Sequence, residues 1–371
     1  MNSIQPTQNV SNVSATIIPE NSTIVNTTTT VPTTVTSIPT SQPTPASTKI
    51  RETITPKSPS SVSPENTISS TSTSSSSSTT SSSSTSTSSS LPTATSYPPS
   101  TVTSKIYILD AQEGQIATPA DSTIFNEIQA QTAPVTCVRI VGNNTPCSQS
   151  EVTQYYLQYI NDPVQKSYLD NIVSSIQSKA SNPDDQARIA ISLVQNIPYD
   201  TSKADTVTST TNVRYPYDVV YQNAGICEEK SFLLAYLLRG LGYGVVLFRF
   251  DTENHMAVGI KSPMGYSFQN SGYAFVETTE PTIPTDSQGN YAFGKLTSTA
   301  DVFQISDGNT MSSISGEYAD AQEFHQIYNQ MAQMQSTYGS VMDQSHYSQW
   351  LSLDNQIMSI VNKYGLKVTV T

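Results

Sequence analysis

The chain has 371 residues, of which 12% are charged, and a formal net charge of −12 at neutral pH. The charges of residues 1–104 sum to zero, so the whole acidic excess lies in residues 105–371. An acidic domain with few arginines is poorly suited to nucleic acid, whose phosphates require a basic face. We therefore expect no nucleic-acid partner.

Residues 1–104 lack the composition of a packed domain. They contain no Gly, Cys, His, Phe or Trp, and Ser69 to Ser90 is an unbroken run of Ser and Thr. Such a segment cannot bury enough apolar surface to offset the entropy of ordering it, so we predict a disordered stalk or linker. Ser/Thr-rich tracts with scattered Pro are typical of O-glycosylated stalks. Four N-glycosylation sequons fit that interpretation, and an unglycosylated linker is the alternative. The sequons are at Asn9, Asn12, Asn21 and Asn26.

Different features of the sequence point to different cellular locations. No stretch approaches the ~18 consecutive apolar residues of a membrane-spanning helix, so no membrane anchor is visible. The first residues also lack the charged-then-apolar pattern of a signal peptide. Either an export signal lies upstream of the first residue given, or the protein stays inside the cell. The glycosylation-like tract favours the first alternative and an extracellular or cell-surface location.

The chain has three cysteines, Cys137, Cys147 and Cys227. The first two lie ten residues apart around a Gly-Asn-Asn turn signal, close enough for a disulfide in an exported protein. That pairing would leave Cys227 as an odd and reactive thiol. In a cytosolic protein the first two would be small hydrophobic residues instead.

Ahead of Cys227, the hydrophobic periodicity predicts one strand and mostly helices. The strand spans Lys105 to Asp110, and a polar loop spans residues 199–218. The helices predicted around them are Ile124 to Ala130, Gln149 to Ile160, Pro163 to Lys179, Ser181 to about Asn196, and Val219 to Asn223.

From Cys227 to Gly240 the residues are apolar nearly all round, which predicts a helix buried on most sides. Glycines at 240, 242 and 244 end it. Strands and two C-terminal helices follow. The strands are predicted at Val245 to Phe250, His255 to Lys261, Gly272 to Glu277, Tyr291 to Phe293 and Ala300 to Ile305, and the helices lie within Gly316 to Tyr364.

Cys227 lies where a glycine-bearing turn meets the start of this helix. Such a position exposes the sulfur, while the helix dipole favours its thiolate. Glu228 and Glu229 oppose the thiolate, so we expect a cationic imidazole beside it. The alternative is a buried structural cysteine.

His255 is the candidate imidazole. It shares one strand face with Ala257 and Gly259, whose small side chains leave room above His255 for a helix end or a substrate. The alternative is a histidine that is only structural. The other two histidines, His325 and His346, lie in the predicted C-terminal helices.

Glu277 is the candidate carboxylate. If the strands 255–261 and 272–277 pair antiparallel about the middle of their loop, His255 faces Glu277 or its immediate neighbour. A carboxylate there fixes the imidazole tautomer and stabilises the imidazolium. Glu280 could substitute for it, and a solvated strand-end acid is the alternative. A thiolate, an imidazole and a carboxylate are the parts of a cysteine acyl-transfer site.

Five motifs occur in order between about Asp184 and Pro281. They are Arg214-Tyr215-Pro216, Gly225-x-Cys227-Glu228-x-Lys230-Ser231, Leu237-Leu238-Arg239-x-Leu241-Gly242-Tyr243, His255-Met256-Ala257-Val258 and Phe275-Val276-Glu277-Thr278-Thr279. In this set and order the chain resembles the transglutaminase-like superfamily of papain-like cysteine enzymes, in particular its prokaryotic and archaeal branch. The resemblance implies a nucleophile at Cys227, a base at His255 and a third catalytic member at Glu277. The family more often has Asp at the third position, in an Asp-Pro-Thr setting, and this chain departs from it there.

The resemblance implies an α+β fold, with a nucleophile helix packed on an antiparallel sheet and extra helices around it. We divide the chain into four parts. These are a stalk over 1–104, a mainly helical extension over 105–180 that holds the Cys137/Cys147 loop, a catalytic core over 181–310, and C-terminal helices over 311–371.

The expected function is cysteine-dependent acyl transfer at amide bonds, with hydrolysis of an extracellular protein or an envelope peptide favoured. The alternatives are protein cross-linking to a lysine amine and a non-catalytic surface-binding module on a glycosylated stalk. The backbone N–H of Cys227 and the side chain of Gln222 are the candidate oxyanion donors. We expect a protein or peptide substrate, no cofactor and no metal, and nothing in the sequence indicates an oligomeric state.

Overall fold

The computed structural model describes residues 101–134, 146–206, 213–289, 294–339 and 341–367. Several predictions fall outside these residues. They are the stalk up to residue 100 with its four sequons, the position of Cys137, and the strand at Tyr291 to Phe293.

The described residues form two strands, then a series of helices, then four further strands and finally two C-terminal helices. The strands are β1 (Thr101–Leu109), β2 (Gln112–Ala120), β3 (Val245–Phe250), β4 (His255–Lys261), β5 (Tyr273–Val276) and β6 (Asp301–Ser306). The helices are α1 (Ser122–Gln129), α2 (Gln149–Ile160), α3 (Pro163–Gln177), α4 (Pro183–Gln195), α5 (Thr201–Ala204), α6 (Pro216–Gln222), α7 (Cys227–Gly240), α8 (Ser315–Tyr338) and α9 (Gln344–Tyr364).

The four strands β3 to β6 form an antiparallel sheet in the order β5-β4-β3-β6. Phe250 pairs with His255 across the β3–β4 hairpin, and Val258 pairs with Val276 between β4 and β5. Helix α7 packs on this sheet, mainly against β4. The predicted α+β fold, with the helix that begins at Cys227 on an antiparallel sheet, is confirmed.

Helix α7 is the centre of the hydrophobic core. Its side chains from Phe232 to Leu238 are buried, as the continuous apolar run predicts. Helices α2, α3, α4 and α6 pack against it as well as the sheet. The rings of Tyr156 and Tyr159 on α2, for example, lie 5.4 and 5.7 Å from that of Phe232. The predicted helical extension therefore shares one core with α7.

The β1–β2 hairpin corrects the predicted boundary at residue 104. Strand β1 begins at Thr101, inside the segment that composition assigned to the stalk, and β2 was not predicted at all. The turn residues Asp110 and Ala111 have φ of 47° and 62°, which is unusual without glycine and gave no turn signal. Backbone pairing with β2 makes the polar residues at the start of β1 a strand. Thr103 Oγ1 also donates to the Thr118 carbonyl at 2.6 Å.

Helices α8 and α9 pack on each other around a smaller hydrophobic cluster. Ile327 and Met331 contribute from α8, Leu353 and Ile357 from α9, and Ile283 from the segment after β5. None of the helices in the described ranges is both long and apolar enough to cross a bilayer.

Candidate active site

Cys227 is the first residue of α7, and backbone hydrogen bonds fix the turn before it. The Gly225 N–H donates to the Pro198 carbonyl at 3.3 Å, and the Asp200 N–H donates to the Gly225 carbonyl at 3.1 Å. These bonds form a parallel bridge between Tyr199 and Gly225. Cys227 is free and only 9% exposed, so its sulfur lies at the edge of the core rather than in open solvent.

Glu229 is fully buried and holds the start of α7 to two neighbouring loops. Its Oε2 accepts from the Ile226 N–H at 3.0 Å, which caps the helix, and its Oε1 accepts from the Arg214 N–H at 2.8 Å. Lys203 and the Arg214 guanidinium form ion pairs with the same carboxylate. Two cations therefore counter the charge that we expected to oppose a thiolate at Cys227.

Glu228 differs from Glu229, because no hydrogen bond within the described residues engages its carboxyl group. Burial and the charge of Glu229 raise the pKa of Glu228 to about 7. Near neutral pH part of the Glu228 carboxyl groups are therefore protonated, and these do not repel a thiolate at Cys227.

His255 and Glu277 form a buried pair. His255 is the first residue of β4, and its Nε2 lies 2.9 Å from Oε2 of Glu277, which directly follows β5. The other oxygen, Oε1, accepts from the backbone N–H groups of Thr278 and Thr279 at 2.9 Å each and from Thr279 Oγ1 at 2.7 Å. Burial would raise the pKa of Glu277, but the charge of His255 and these hydrogen bonds outweigh it and lower the pKa.

His255 also contacts Cys227. Burial alone would lower the pKa of His255, but the charge of Glu277 and hydrogen bonds to Cys227 and Glu277 raise it to about 9. Because Nε2 faces Glu277, Nδ1 is the ring nitrogen left for the thiol. The structure thus brings the three predicted residues together in the order thiol, imidazole, carboxylate. Their catalytic role stays a prediction.

The surroundings of His255 on its strand face differ from the expectation in one respect. Gly259 does not leave open space on the sheet face of His255, because a Cβ there would lie 2.5 Å from Val246 Cγ2 and 2.7 Å from the Phe248 ring. Side chains of β3 fill that face, and the cavity lies instead at the end of the strand.

A cavity of about 250 Å³ opens beside the pair of Cys227 and His255. Its other walls come from α2, the segment before α5, the end of α5, the start of α7, the adjoining ends of β3 and β4, and the turn between those strands. They are Tyr156, Tyr199, Ala204, Ile226, Glu228, Arg249, Phe250, Asp251, Asn254 and Met256. The cavity is large enough for a few side-chain atoms of a peptide, and the thiol lies on its wall.

Two alternative site residues lie elsewhere. Gln222 is exposed, its Oε1 accepts from Arg214 Nε at 2.7 Å, and it is not among the residues that line the cavity, so the structure does not support its expected role as oxyanion donor. Glu280 interacts electrostatically with Lys230 and Glu277, whereas the carboxylate on His255 is that of Glu277.

The remaining histidines also pair away from the cavity. His325 Nε2 lies 2.8 Å from Asp286, and His346 Nδ1 lies 2.9 Å from Asp343. Within the described ranges, no group of three or more His, Cys, Asp or Glu side chains could hold a metal ion.

Lys230 is a residue whose role the sequence did not reveal beyond its place in a motif. It is fully buried, and its Nζ donates to the carbonyls of Ile197, Thr279 and Gln195 at 2.5, 3.0 and 3.4 Å. Burial lowers the pKa of Lys230 to about 7. Through this one ammonium, α7 is joined to the segment before Tyr199 and to the segment that carries Glu277.

Comparison with known families supports what the geometry suggests. Residues 167–266 match a family model described as a transglutaminase-like domain. This part of the chain is similar to transglutaminase-like domains, which supports an assignment to that superfamily. The matched residues run from α3 through β4 and include Cys227 and His255, while Glu277 lies eleven residues beyond them. None of the curated proteins compared with the chain matches it at a significant level.

The transglutaminase-like assignment sets the general class of chemistry. Domains of this kind belong to a cysteine-dependent enzyme family, and the thiol in this domain is Cys227, the free cysteine. Cys147 carries a disulfide, and its predicted partner Cys137 lies outside the described residues.

Proposed function

We propose that the protein is a cysteine hydrolase that cleaves amide bonds in proteins or peptides through a thioester intermediate. One observation carries the proposal. A single buried imidazole contacts the thiol of Cys227 through a hydrogen bond and the carboxylate of Glu277 at 2.9 Å, beside a cavity that admits a substrate.

The residues support each half of the reaction. The His255 imidazolium stabilises the Cys227 thiolate, which attacks the carbonyl carbon, and His255 then donates its proton to the leaving amine. A water deprotonated by the now neutral His255 attacks the thioester carbonyl, and the thiol leaves. Glu277 holds the ring in one orientation and stabilises its protonated form.

The test begins with the thiol itself. We expect iodoacetamide to alkylate Cys227 in the wild type well below the ordinary thiol pKa of ~8.5, because the imidazolium favours the thiolate. The rate at low pH should fall sharply in His255→Ala. An inert thiol in the wild type would support a binding module instead.

Activity is tested on glutamine-containing and ordinary peptides, with and without a labelled primary amine. We expect release of ammonia or of a peptide fragment, with little incorporation of the amine. Cys227→Ala and His255→Ala should each lower turnover by on the order of 10³-fold or more while leaving thermal unfolding unchanged. Efficient amine incorporation would show that cross-linking is the function, and near-normal turnover in either variant would refute the proposed chemistry.

We also propose that the protein acts outside the cell. The disulfide at Cys147 and the glycosylation-like composition of residues 1–104 support it, because disulfides persist mainly in oxidising compartments. A native protein that has the mass of the bare chain and three titratable thiols per molecule would remove both supports.

A further inference from the structure

We propose that the hydroxyl of Tyr199 is the side-chain donor of the oxyanion hole and acts together with the backbone N–H of Cys227. This inference rests on the proposed function, because an oxyanion forms only if Cys227 attacks a carbonyl. It assigns a catalytic role to a residue that the sequence placed in a polar loop without chemistry.

The position of Tyr199 is the first argument. Its half-buried side chain lines the same cavity as Cys227 and His255. Its backbone forms the parallel bridge to Gly225, and Gly225 lies two residues before Cys227. The same backbone hydrogen bonds therefore fix Tyr199 relative to the start of α7. On the other side, Lys230 fixes the carbonyl of Ile197. Such double anchoring is what a preorganised donor requires.

The hydroxyl is also free to donate. Among the hydrogen bonds of the described residues, none involves the Tyr199 hydroxyl. Tyr156, the other tyrosine of the cavity, differs, because its hydroxyl accepts from Arg249 Nη1 at 3.5 Å. Burial and the negative charges of Cys227 and Glu277 raise the pKa of Tyr199 far above its usual value. The phenol therefore keeps its proton throughout the pH range in which a thiolate attacks.

The proposed step needs no proton transfer from Tyr199. The sulfur forms a bond to the carbonyl carbon, and the π electron pair of the carbonyl moves onto its oxygen. Two hydrogen bonds, from Tyr199 O–H and from Cys227 N–H, stabilise that oxyanion. When the intermediate collapses, the electron pair returns, the C–N bond breaks, and the amine leaves with the proton of His255.

One other side chain of the cavity is an amide. Asn254 is exposed in the β3–β4 turn, where water competes for its donor, whereas Tyr199 is half-buried. A hydrogen bond stabilises developing charge more in a site that excludes water. This difference favours Tyr199 and makes Asn254→Ala an informative comparison.

The test uses the full-length protein with Tyr199→Phe, which removes the oxygen and keeps the ring. Tyr221→Phe is the matched control, because Tyr221 is also half-buried but stacks on Phe125 away from the cavity. Two measurements need no known substrate. They are the rate at which iodoacetamide alkylates Cys227, and the concentration of N-acetylglycinal that protects Cys227 from it by forming a tetrahedral thiohemiacetal.

We expect Tyr199→Phe to leave the alkylation rate and thermal unfolding unchanged, because alkylation creates no oxyanion. Aldehyde affinity should fall by roughly tenfold or more, and kcat on any amide that the wild type hydrolyses by about 10²-fold, with KM nearly unchanged. Tyr221→Phe should match the wild type in every measurement.

The outcomes separate the two proposals. If Tyr199→Phe binds the aldehyde as tightly as the wild type, or if Asn254→Ala shows the loss instead, the assignment of Tyr199 is overturned while the thiol chemistry stands. If the wild-type thiol is inert and no aldehyde protects it, the proposed function itself fails.

Discussion

At the scale of single residues, the charge state of His255 controls the proposed chemistry. The pKa of His255 is raised to about 9, and after burial, which acts in the opposite direction, the charge of Glu277 is its largest cause. A raised pKa means that the imidazolium persists through neutral pH and is lost as the pH rises through about 9. Activity that needs this proton should therefore have its alkaline limb near pH 9.

Glu277→Gln should move that alkaline limb to lower pH. The amide keeps a hydrogen-bonding group beside His255 but removes the charge that favours the imidazolium, and kcat should fall as well. The measurement is kcat/KM against pH for the variant and for Glu280→Gln, whose carboxyl is not the one on His255. If Glu280→Gln shifts the alkaline limb and Glu277→Gln does not, Glu277 is not the third catalytic residue.

Glu228 provides a second test at this scale. Its pKa of about 7 means that it is mostly neutral at pH 6 and mostly charged at pH 8. Since a charge beside Cys227 opposes the thiolate, Glu228→Gln should speed alkylation a few-fold at pH 8 and hardly at pH 6. Glu323→Gln on α8 is the control. A rate unchanged at both pH values would show that the Glu228 charge does not reach the sulfur.

At the scale of secondary-structure elements, two buried ionisable side chains of α7 hold the segments of the site together. Glu229 joins the start of the helix to the loops of Lys203 and Arg214, and Lys230 joins it to Ile197 and Thr279. The polar run Glu229-Lys230 inside an otherwise apolar helix is therefore structural. It aligns segments that are distant in sequence, which explains why a core helix carries ionisable side chains.

Lys230→Met tests this arrangement. Methionine fills similar volume, but the carbonyls of Ile197 and Thr279 lose their donor inside the core. We expect unfolding free energy to fall by roughly 2–4 kcal/mol, since each buried unpaired carbonyl costs about 1–3 kcal/mol. The exposed Lys166, paired with Asp170 one turn away, is the control, and Lys166→Met should cost about 0.5 kcal/mol or less. Equal costs in denaturant unfolding would contradict the role assigned to Lys230.

At the scale of the whole molecule, the first strand that the structure describes begins at Thr101, earlier than the predicted boundary. Its first four residues pair with Ala117 to Ala120, and Thr103 bonds to Thr118. Composition cannot detect this, because Thr and Ser suit both a stalk and the solvent-facing residues of a hairpin.

A pair of deletions tests the boundary. Removing residues 1–100 should leave the melting temperature and the catalysis of small substrates unchanged, because that composition cannot support a packed core. Removing residues 1–104 also takes four residues of β1 and should lower the melting temperature by roughly 2–6 °C, equivalent to one or two kcal/mol in a domain of this size. If both deletions behave alike, either the hairpin pairing contributes nothing or the boundary lies elsewhere.

The sequence determined those parts of the protein in which local pattern and burial agree. The bounds of α2, α7, β3 and β4 were predicted as they are, because capping residues, glycines and long apolar runs mark their ends. The candidate site residues Cys227, His255 and Glu277 could also be proposed from the sequence. Cys227 and His255 begin α7 and β4, Glu277 ends the strand predicted from Gly272, and the strand register limits which carboxylate can meet the imidazole.

Only the tertiary structure decided which side chains from distant segments complete the site. Tyr199 precedes a four-residue helix that no periodicity reveals, and the bridge that brings it to Gly225 spans 26 residues of sequence. Gln222 was a candidate oxyanion donor from the sequence, but in the structure it is exposed, contacts Arg214 and is not among the residues that line the cavity. A strand or a helix is specified by a repeat of neighbouring residues, whereas the contacts of a loop side chain depend on where the whole core places its backbone.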